Sequence, residues 1–198
     1  MDERLERAET IVFDIGNVLL RFSPDKVIGL LPDSIRQPLL YVLFGPPHLW
    51  DAFDLGRESN PDIARRVAQA TGIPESEGWA LKLLERFPET LTPLPLYHLL
   101  DDLQARGKRL YGLTNYPEPS FTLTCQRFPL LLGKLTGVVV SSREKVAKPQ
   151  PEIFRLLIQR YHLDPPRTLF IDDSAANTEA AAREGFQIWH YTAPDCLG

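Results

Sequence analysis

Thr10-Ile11-Val12-Phe13-Asp14-Ile15-Gly16-Asn17-Val18-Leu19 is the stretch on which the reading of this chain turns. Its first four residues are apolar or β-branched and show no polar alternation. That pattern describes a short strand covered on both faces, as in a parallel sheet. The run stops at a carboxylate, and a glycine and an asparagine then mark a turn. Four later runs share this character: Arg109-Leu110-Tyr111-Gly112-Leu113, Gly137-Val138-Val139-Val140, Thr168-Leu169-Phe170-Ile171 and Gln187-Ile188-Trp189-His190-Tyr191. Helical patterns lie between them. Pro93 to Arg106 sets Leu96, Leu99, Leu100 and Leu103 on one face ahead of Gly107. Pro151 opens a second helix, with Ile153, Leu156, Leu157 and Tyr161 as its buried stripe, and Ser174 caps a third that Gly185 closes. Strands alternating with helices predict an α/β fold with a parallel sheet and right-handed crossovers.

The rhythm breaks once. Roughly 90 residues separate the first strand from the second, far more than a crossover needs. Within that gap Asn60-Pro61 reads as a cap and first helical turn, closed by Gly72, and Trp79, Leu83 and Phe87 recur at helical spacing. The expectation is a catalytic core made of residues 1–21 and 91–198, with residues 22–90 as a small helical cap inserted into it.

Composition fits one soluble globular unit. Of 198 residues, 43% are hydrophobic and 24% charged, enough to bury a core without disulfides. Lys plus Arg is 22 against 26 for Asp plus Glu, a net charge of −4, so no general attraction to nucleic acid or anionic membranes is expected. No apolar run is long enough to span a bilayer, and the charged start Met1-Asp2-Glu3-Arg4 lacks a secretory signal's apolar segment. Cys125 and Cys196 show no metal-type spacing, and His48, His98, His162 and His190 are scattered. The expected setting is the reducing cytoplasm. The oligomeric state has no signature in the sequence.

Open parallel sheets place ligands beyond the carboxyl ends of their strands. Here those ends carry Asp14-Ile15-Gly16-Asn17, Thr114-Asn115, Lys148-Pro149 a few residues past the third strand, and Asp172-Asp173-Ser174. Each alone reads as a turn, a loop start, a solvated lysine or a helix cap. Together they suggest phosphoryl transfer through an aspartate. A carboxylate attacks phosphorus, and a second one, Asp173 or Asp172, holds Mg²⁺ beside it. Thr114 offers donors to the phosphoryl oxygens, and Lys148 supplies a positive charge. Among residues of the insertion, His48, Trp50, Phe53, Asp54, Arg57 and Glu58 are candidates to face a substrate. Arg57 is the chosen specificity contact, and Asn115 and Tyr116 are expected to line the pocket.

These segments resemble the four motifs of the haloacid dehalogenase-like hydrolase superfamily. Ile11 to Leu19 resembles the first, Leu113-Thr114-Asn115 the second, Lys148-Pro149 the third and Phe170 to Asn177 the fourth. The resemblance implies a Rossmann-like parallel sheet core with an inserted small α-helical cap. It implies Asp14 as nucleophile, Thr114 and Lys148 as phosphate-site groups, and a Mg²⁺ site of Asp14, the Gly16 carbonyl and Asp173, with Asp172 behind it and Asn177 in support.

One position departs from that pattern. Most phosphatases of the superfamily carry an aspartate two residues after the nucleophile as general acid and base, and this chain has Gly16. The form Phe-Asp-Ile-Gly-Asn-Val resembles a bacterial subgroup that includes glucose-1-phosphate phosphatases. With no carboxyl at position 16, esters with better leaving groups should be favoured, anomeric sugar phosphates among them. The expected activity is Mg²⁺-dependent hydrolysis of a small phosphorylated metabolite, with a sugar phosphate as one candidate. The alternatives are a haloacid dehalogenase, which needs no metal, and a regulatory protein without turnover. A signalling receiver domain uses similar residues, but in the reverse order and without the insertion.

Overall fold

The computed structural model describes residues 2–23, 26–27, 29, 31–45 and 49–192. Its sheet has five parallel strands: β1 (Thr10–Phe13), β4 (Arg109–Thr114), β5 (Gly137–Val140), β6 (Thr168–Asp172) and β7 (Gln187–His190), in the order β5-β4-β1-β6-β7. The fold is therefore α/β, as expected. The chain builds outward from β1 to β5, then returns to the other side of β1 for β6 and β7. That reversal puts the crevice for a ligand at the carboxyl end of β1.

Every residue of β1 is buried, and the alternation of its side chains divides the interior. Ile11 and Phe13 face one apolar cluster, which also holds Leu103, Leu110, Leu169 and Ile171. Val12 faces the other, with Leu113, Phe170 and the helix Pro151–Tyr161 through Ile153, Phe154 and Leu157. Phe154 and Phe170 meet edge to face at 5.5 Å. Glycines set two close approaches in the sheet. A Cβ on Gly137 would lie 2.4 Å from the Tyr161 ring, and one on Gly112 would lie 2.9 Å from Val138.

Between β1 and β4 the chain forms a short antiparallel pair, β2 (Leu20–Arg21) with β3 (Thr92–Pro93). The segment between these two strands contains the helices Asp33–Phe44, Leu49–Asp54, Asn60–Thr71 and Ser76–Arg86. Leu39, Leu43, Phe53, Ile63, Val67, Leu83 and Phe87 from this segment join the same apolar cluster as Ile11 and Phe13. The helical segment is thus packed onto one face and edge of the core by continuous burial.

Some local expectations change. The cap of the helix Asn60–Thr71 is Ser59 rather than Asn60. Ser59 Oγ accepts from the Asp62 amide while Asp62 Oδ2 accepts from the Ser59 amide, a reciprocal box that Asn60 cannot make. Gly72 ends that helix in the left-handed region at φ 68°. The stretch from Pro93 to Arg106 is two pieces, a 3₁₀ turn over Pro95–Leu99 and a helix over Leu100–Ala105. Among the described residues no helix is long and apolar enough to cross a membrane. Cys125 is a buried free thiol, and Cys196 lies outside the described residues.

Candidate active site

Strand register assembles the site. Phe13 pairs with Gly112 on one side and Ile171 on the other, so Asp14 and Asp172 come level at one end of the sheet, with Thr114 one residue further along its strand. The Asp14 amide continues the ladder by donating to Ile171 O at 2.9 Å. Lys148 reaches in from the loop after β5. Its Nζ lies 2.9 Å from Asp14 Oδ1 and 2.7 Å from Asp172 Oδ2, with only 1% of the side chain exposed.

The three carboxylates sort by environment. Asp172 is fully buried and fully engaged: Oδ1 accepts from the Ser174 amide and Asn177 Nδ2, each at 2.9 Å, while Oδ2 takes Lys148. Ser174 begins the helix Ala175–Arg183 without a side-chain capping bond; its amide serves Asp172 instead. Asp14 Oδ1 accepts from Lys148 and from the Ile15 amide at 2.7 Å, and among the described residues no hydrogen bond falls on Oδ2. Asp173 is the most exposed of the three and lines the cleft. Oxygens of all three lie within 4.8 Å of one another.

Charge explains the titration. Burial, opposed by Lys148 and reinforced by Asp172 and Asp173, pushes Asp14 up to about 7. Partial desolvation at the cleft and the neighbouring Asp172 also raise Asp173. Burial alone would lower the Lys148 ammonium, but Asp14 and Asp172 together hold it above its ordinary value. Three carboxylates around one ammonium leave excess negative charge in a poorly solvated place. The donor set is all oxygen, which suits a hard divalent cation such as Mg²⁺.

The cleft above these groups has a volume of about 190 Å³. Its floor is Asp14, Gly16, Asn17, Thr114, Asn115 and Asp173. Its wall is Leu20, Phe22, Trp50, Phe87, Leu91 and Tyr116, with Asp54 standing among them. Trp50 lies 5.3 Å from both Phe22 and Phe87, and Phe87 lies 5.7 Å from Tyr116, so the wall is a continuous aromatic surface. Among the described residues that line the cleft there is no lysine, arginine or histidine.

Gly16 sits in the loop after β1 with φ outside the left-handed region, and a Cβ there would meet nothing within 4 Å. Asn17 takes the unusual backbone at φ 54°, and its Oδ1 accepts from the Phe22 amide at 3.0 Å. The loop therefore owes its shape to Asn17, and position 16 has room for a side chain.

Two expected substrate contacts change. Asn115 lines the cleft, but both ends of its amide are spent on the Lys148 backbone: Nδ2 donates to the carbonyl and Oδ1 accepts from the amide, each at 2.9 Å. That clamp aims the lysine. Arg57 is exposed and lies outside the cleft, in a surface groove with Glu58, Ser59 and Lys145. The cause is Gly56, whose φ of 56° turns the chain away after Asp54. A Cβ at Gly56 would also lie 2.8 Å from Ser142 Cβ. Phe53 is core, Glu58 pairs with Arg66, and His48 lies outside the described residues.

Ser141 and Ser142 read in the sequence as polar loop residues after the third strand, but both are buried in the short helix Ser141–Glu144, and Ser141 has a role there. It is fully buried; its Oγ donates to the Asp54 carbonyl and accepts from the Tyr116 amide at 2.9 Å. Lys145 Nζ donates to the Gly56 carbonyl beside it. These bonds latch the end of the helix Leu49–Asp54 to the segment after β5. A serine following a strand carries no sequence signal of such a role.

A parallel sheet with carboxylates and a lysine gathered at one end has the architecture of an α/β enzyme. The chain belongs to the haloacid dehalogenase-like hydrolases, whose family model matches residues 8–185. A sesquiterpene phosphatase of Aspergillus oryzae is 24% identical over 185 residues, covering 91% of this chain and 88% of that protein. A haloacid dehalogenase-like family enzyme of Bacteroides thetaiotaomicron, solved with magnesium and inorganic phosphate, superposes with a TM-score of 0.72 at 20% identity, covering 96% of this chain and 98% of that one. The L-2-haloacid dehalogenase of Xanthobacter autotrophicus superposes with a TM-score of 0.69 at 16% identity, covering 91% and 76%.

Proposed function

We propose that this hydrolase is a Mg²⁺-dependent phosphatase of small phosphate monoesters, with Asp14 as nucleophile and residues 22–90 as a cap over the cleft. The observation that carries this is the set of three carboxylates with oxygens within 4.8 Å of one another, two of them paired with one buried lysine. Displacement at carbon has no use for Asp173, whereas phosphate chemistry needs a cation there. Asp14, the Gly16 carbonyl and Asp173 would hold the cation, with Asp172 held back by Lys148, Ser174 and Asn177. When bound, Mg²⁺ supplies the positive charge that lets a phosphate dianion approach these carboxylates.

The chain's own groups do the rest. Oδ2 of Asp14 forms a bond to phosphorus as the bond to the ester oxygen breaks, leaving an aspartyl phosphate. Thr114 and the loop amides orient the phosphoryl oxygens. Water then attacks phosphorus, the Asp14–phosphorus bond breaks, and inorganic phosphate leaves. Hydrolysis should be lost in excess chelator and return with Mg²⁺, and Mg²⁺ should raise the melting temperature, since it binds only the folded site. Full activity in chelator, unchanged by added metal, would end this reading.

The aromatic wall supports an ester whose alcohol is apolar, and the Aspergillus relative acts in its name on such a compound. The kinship with glucose-1-phosphate phosphatases rests on the first loop alone. In a substrate panel, aryl and prenyl phosphates should exceed hexose phosphates in kcat/KM by about 10–100-fold, and Trp50→Ala should narrow the gap. A preference for hexose 1-phosphates that Trp50→Ala leaves untouched would return the assignment to sugar phosphates.

A further inference from the structure

Four titratable side chains line the cleft among the described residues: Asp14, Asp54, Tyr116 and Asp173. Asp14 is the proposed nucleophile and Asp173 the proposed cation ligand. Tyr116 Oη is bonded to Thr124 Oγ1 at 2.7 Å, inside the core. Asp54 is left, and none of the described residues gives its carboxyl a partner. Its Oδ1 is buried and has no hydrogen-bond partner among the described residues. An ionised oxygen in that position gives up its water and gains no donor. A proton on the carboxyl relieves that cost.

The surroundings favour the same state. Asp51, on the same helix, and Asp14, beyond β1, both repel a second negative charge, and burial adds the largest push. Together they hold the Asp54 carboxyl well above the usual range. Among the described residues Lys148 is the cation that acts the other way, and it is already engaged by Asp14 and Asp172. Ser141, from the segment after β5, presents a neutral hydroxyl to the Asp54 carbonyl and holds the backbone in place. Asp54 is therefore a fixed acid at the wall of the cleft, opposite a loop whose own acid position is glycine.

We infer that Asp54, brought in by the helical segment, is the catalytic acid and base that position 16 lacks. This rests on the phosphatase reading. As Asp14 attacks, the electron pair of the breaking bond stays on the ester oxygen, which takes the Asp54 proton and departs as an alcohol. The Asp54 carboxylate so formed then takes a proton from the water that attacks the aspartyl phosphate. Its starting state is restored as Asp14 and phosphate separate.

The test compares native enzyme, Asp54→Asn, Gly16→Asp and the double variant, each with Mg²⁺, on dinitrophenyl phosphate and on alkyl phosphates. With alkyl esters, Asp54→Asn should lose about 10²–10⁴-fold and show no burst, because the first step lacks its acid. With dinitrophenyl phosphate the leaving group needs no proton. The variant should then release close to one equivalent of dinitrophenolate in a burst and accumulate aspartyl phosphate, because only the second step is impaired. Gly16→Asp, which has room for a side chain, should recover alkyl-ester turnover in the double variant. An equal loss on every ester without a burst, or a gain of about 10²-fold from Gly16→Asp alone, would overturn the role of Asp54 while leaving the phosphatase reading intact. The Gly16→Asp arm stands even if Asp54→Asn fails to fold. Native enzyme inactive on every ester would overturn both.

Discussion

Asp14→Asn is expected to reduce turnover by at least about 10⁴-fold while the protein stays folded, because an amide is close in shape to the carboxylate but has no anionic oxygen with which to attack phosphorus. The geometry allows the substitution. Oδ1 can go on accepting from the Ile15 amide, and Lys148 keeps Asp172 at 2.7 Å. The variant also removes one of three crowded negative charges, so its melting temperature should not fall. The decisive measurement is retention of label from ³²P-labelled substrate. Native enzyme quenched in acid should carry acid-stable, base-labile phosphate, and the variant should carry none. A folded variant with near-native turnover, or with undiminished label, would take the nucleophile role from Asp14. Native and variant should also be compared on 2-haloacids, since a dehalogenase would use the same aspartate. Chloride release by the native protein without Mg²⁺ would favour that chemistry.

The central strands were legible because burial on both faces leaves unbroken apolar runs, of which Thr10–Phe13 and Thr168–Ile171 are the clearest, whereas β7 at the edge is largely exposed and was legible only by its Ile188 and Trp189. Their order was not legible, since nothing local says that β1 is flanked by β4 and β6. The polar ends were legible for a chemical reason. A carboxylate directly after a buried strand is costly to place, and two such ends, joined by Thr114 at the end of a third strand and Lys148 beyond a fourth, imply a common purpose. The contrast between the buried Asp172 and the exposed Asp173 is a matter of packing, which adjacent residues in a sequence do not reveal. Arg57 misled because an arginine in a cap suggests an anion contact, while the turn at Gly56 depends on packing against Ser142. Asp54 was visible only as one polar residue among several. The role proposed for it comes from an oxygen with no partner among the described residues and from the charges around it, and these come from three separate segments of the chain.

Lys148 joins the proposed chemistry to the stability of the fold, and its replacement by methionine should cost both. The methionine fills the volume of the stem, so packing beside Phe170 survives and the lost quantity is charge. Asp14 and the wholly buried Asp172 would then face each other without a cation. Removing one partner of a buried ion pair costs about 3–5 kcal/mol, because the remaining charge has neither water nor counterion. In a chain of this size about 1 kcal/mol moves the melting temperature by roughly 2–4 °C, so a fall of roughly 6–20 °C is expected in metal-free buffer. Adding Asp172→Asn to Lys148→Met removes one of the stranded charges and should recover a large part of that loss. The amide can still accept from Ser174 and lie beside Asn177. Turnover should not recover, since the phosphate site still lacks its cation. Mg²⁺ should narrow the gap between native and Lys148→Met by supplying charge at the same place. Stability that is the same in native, Lys148→Met and the double variant would mean that the lysine is not the counterion holding these carboxylates together.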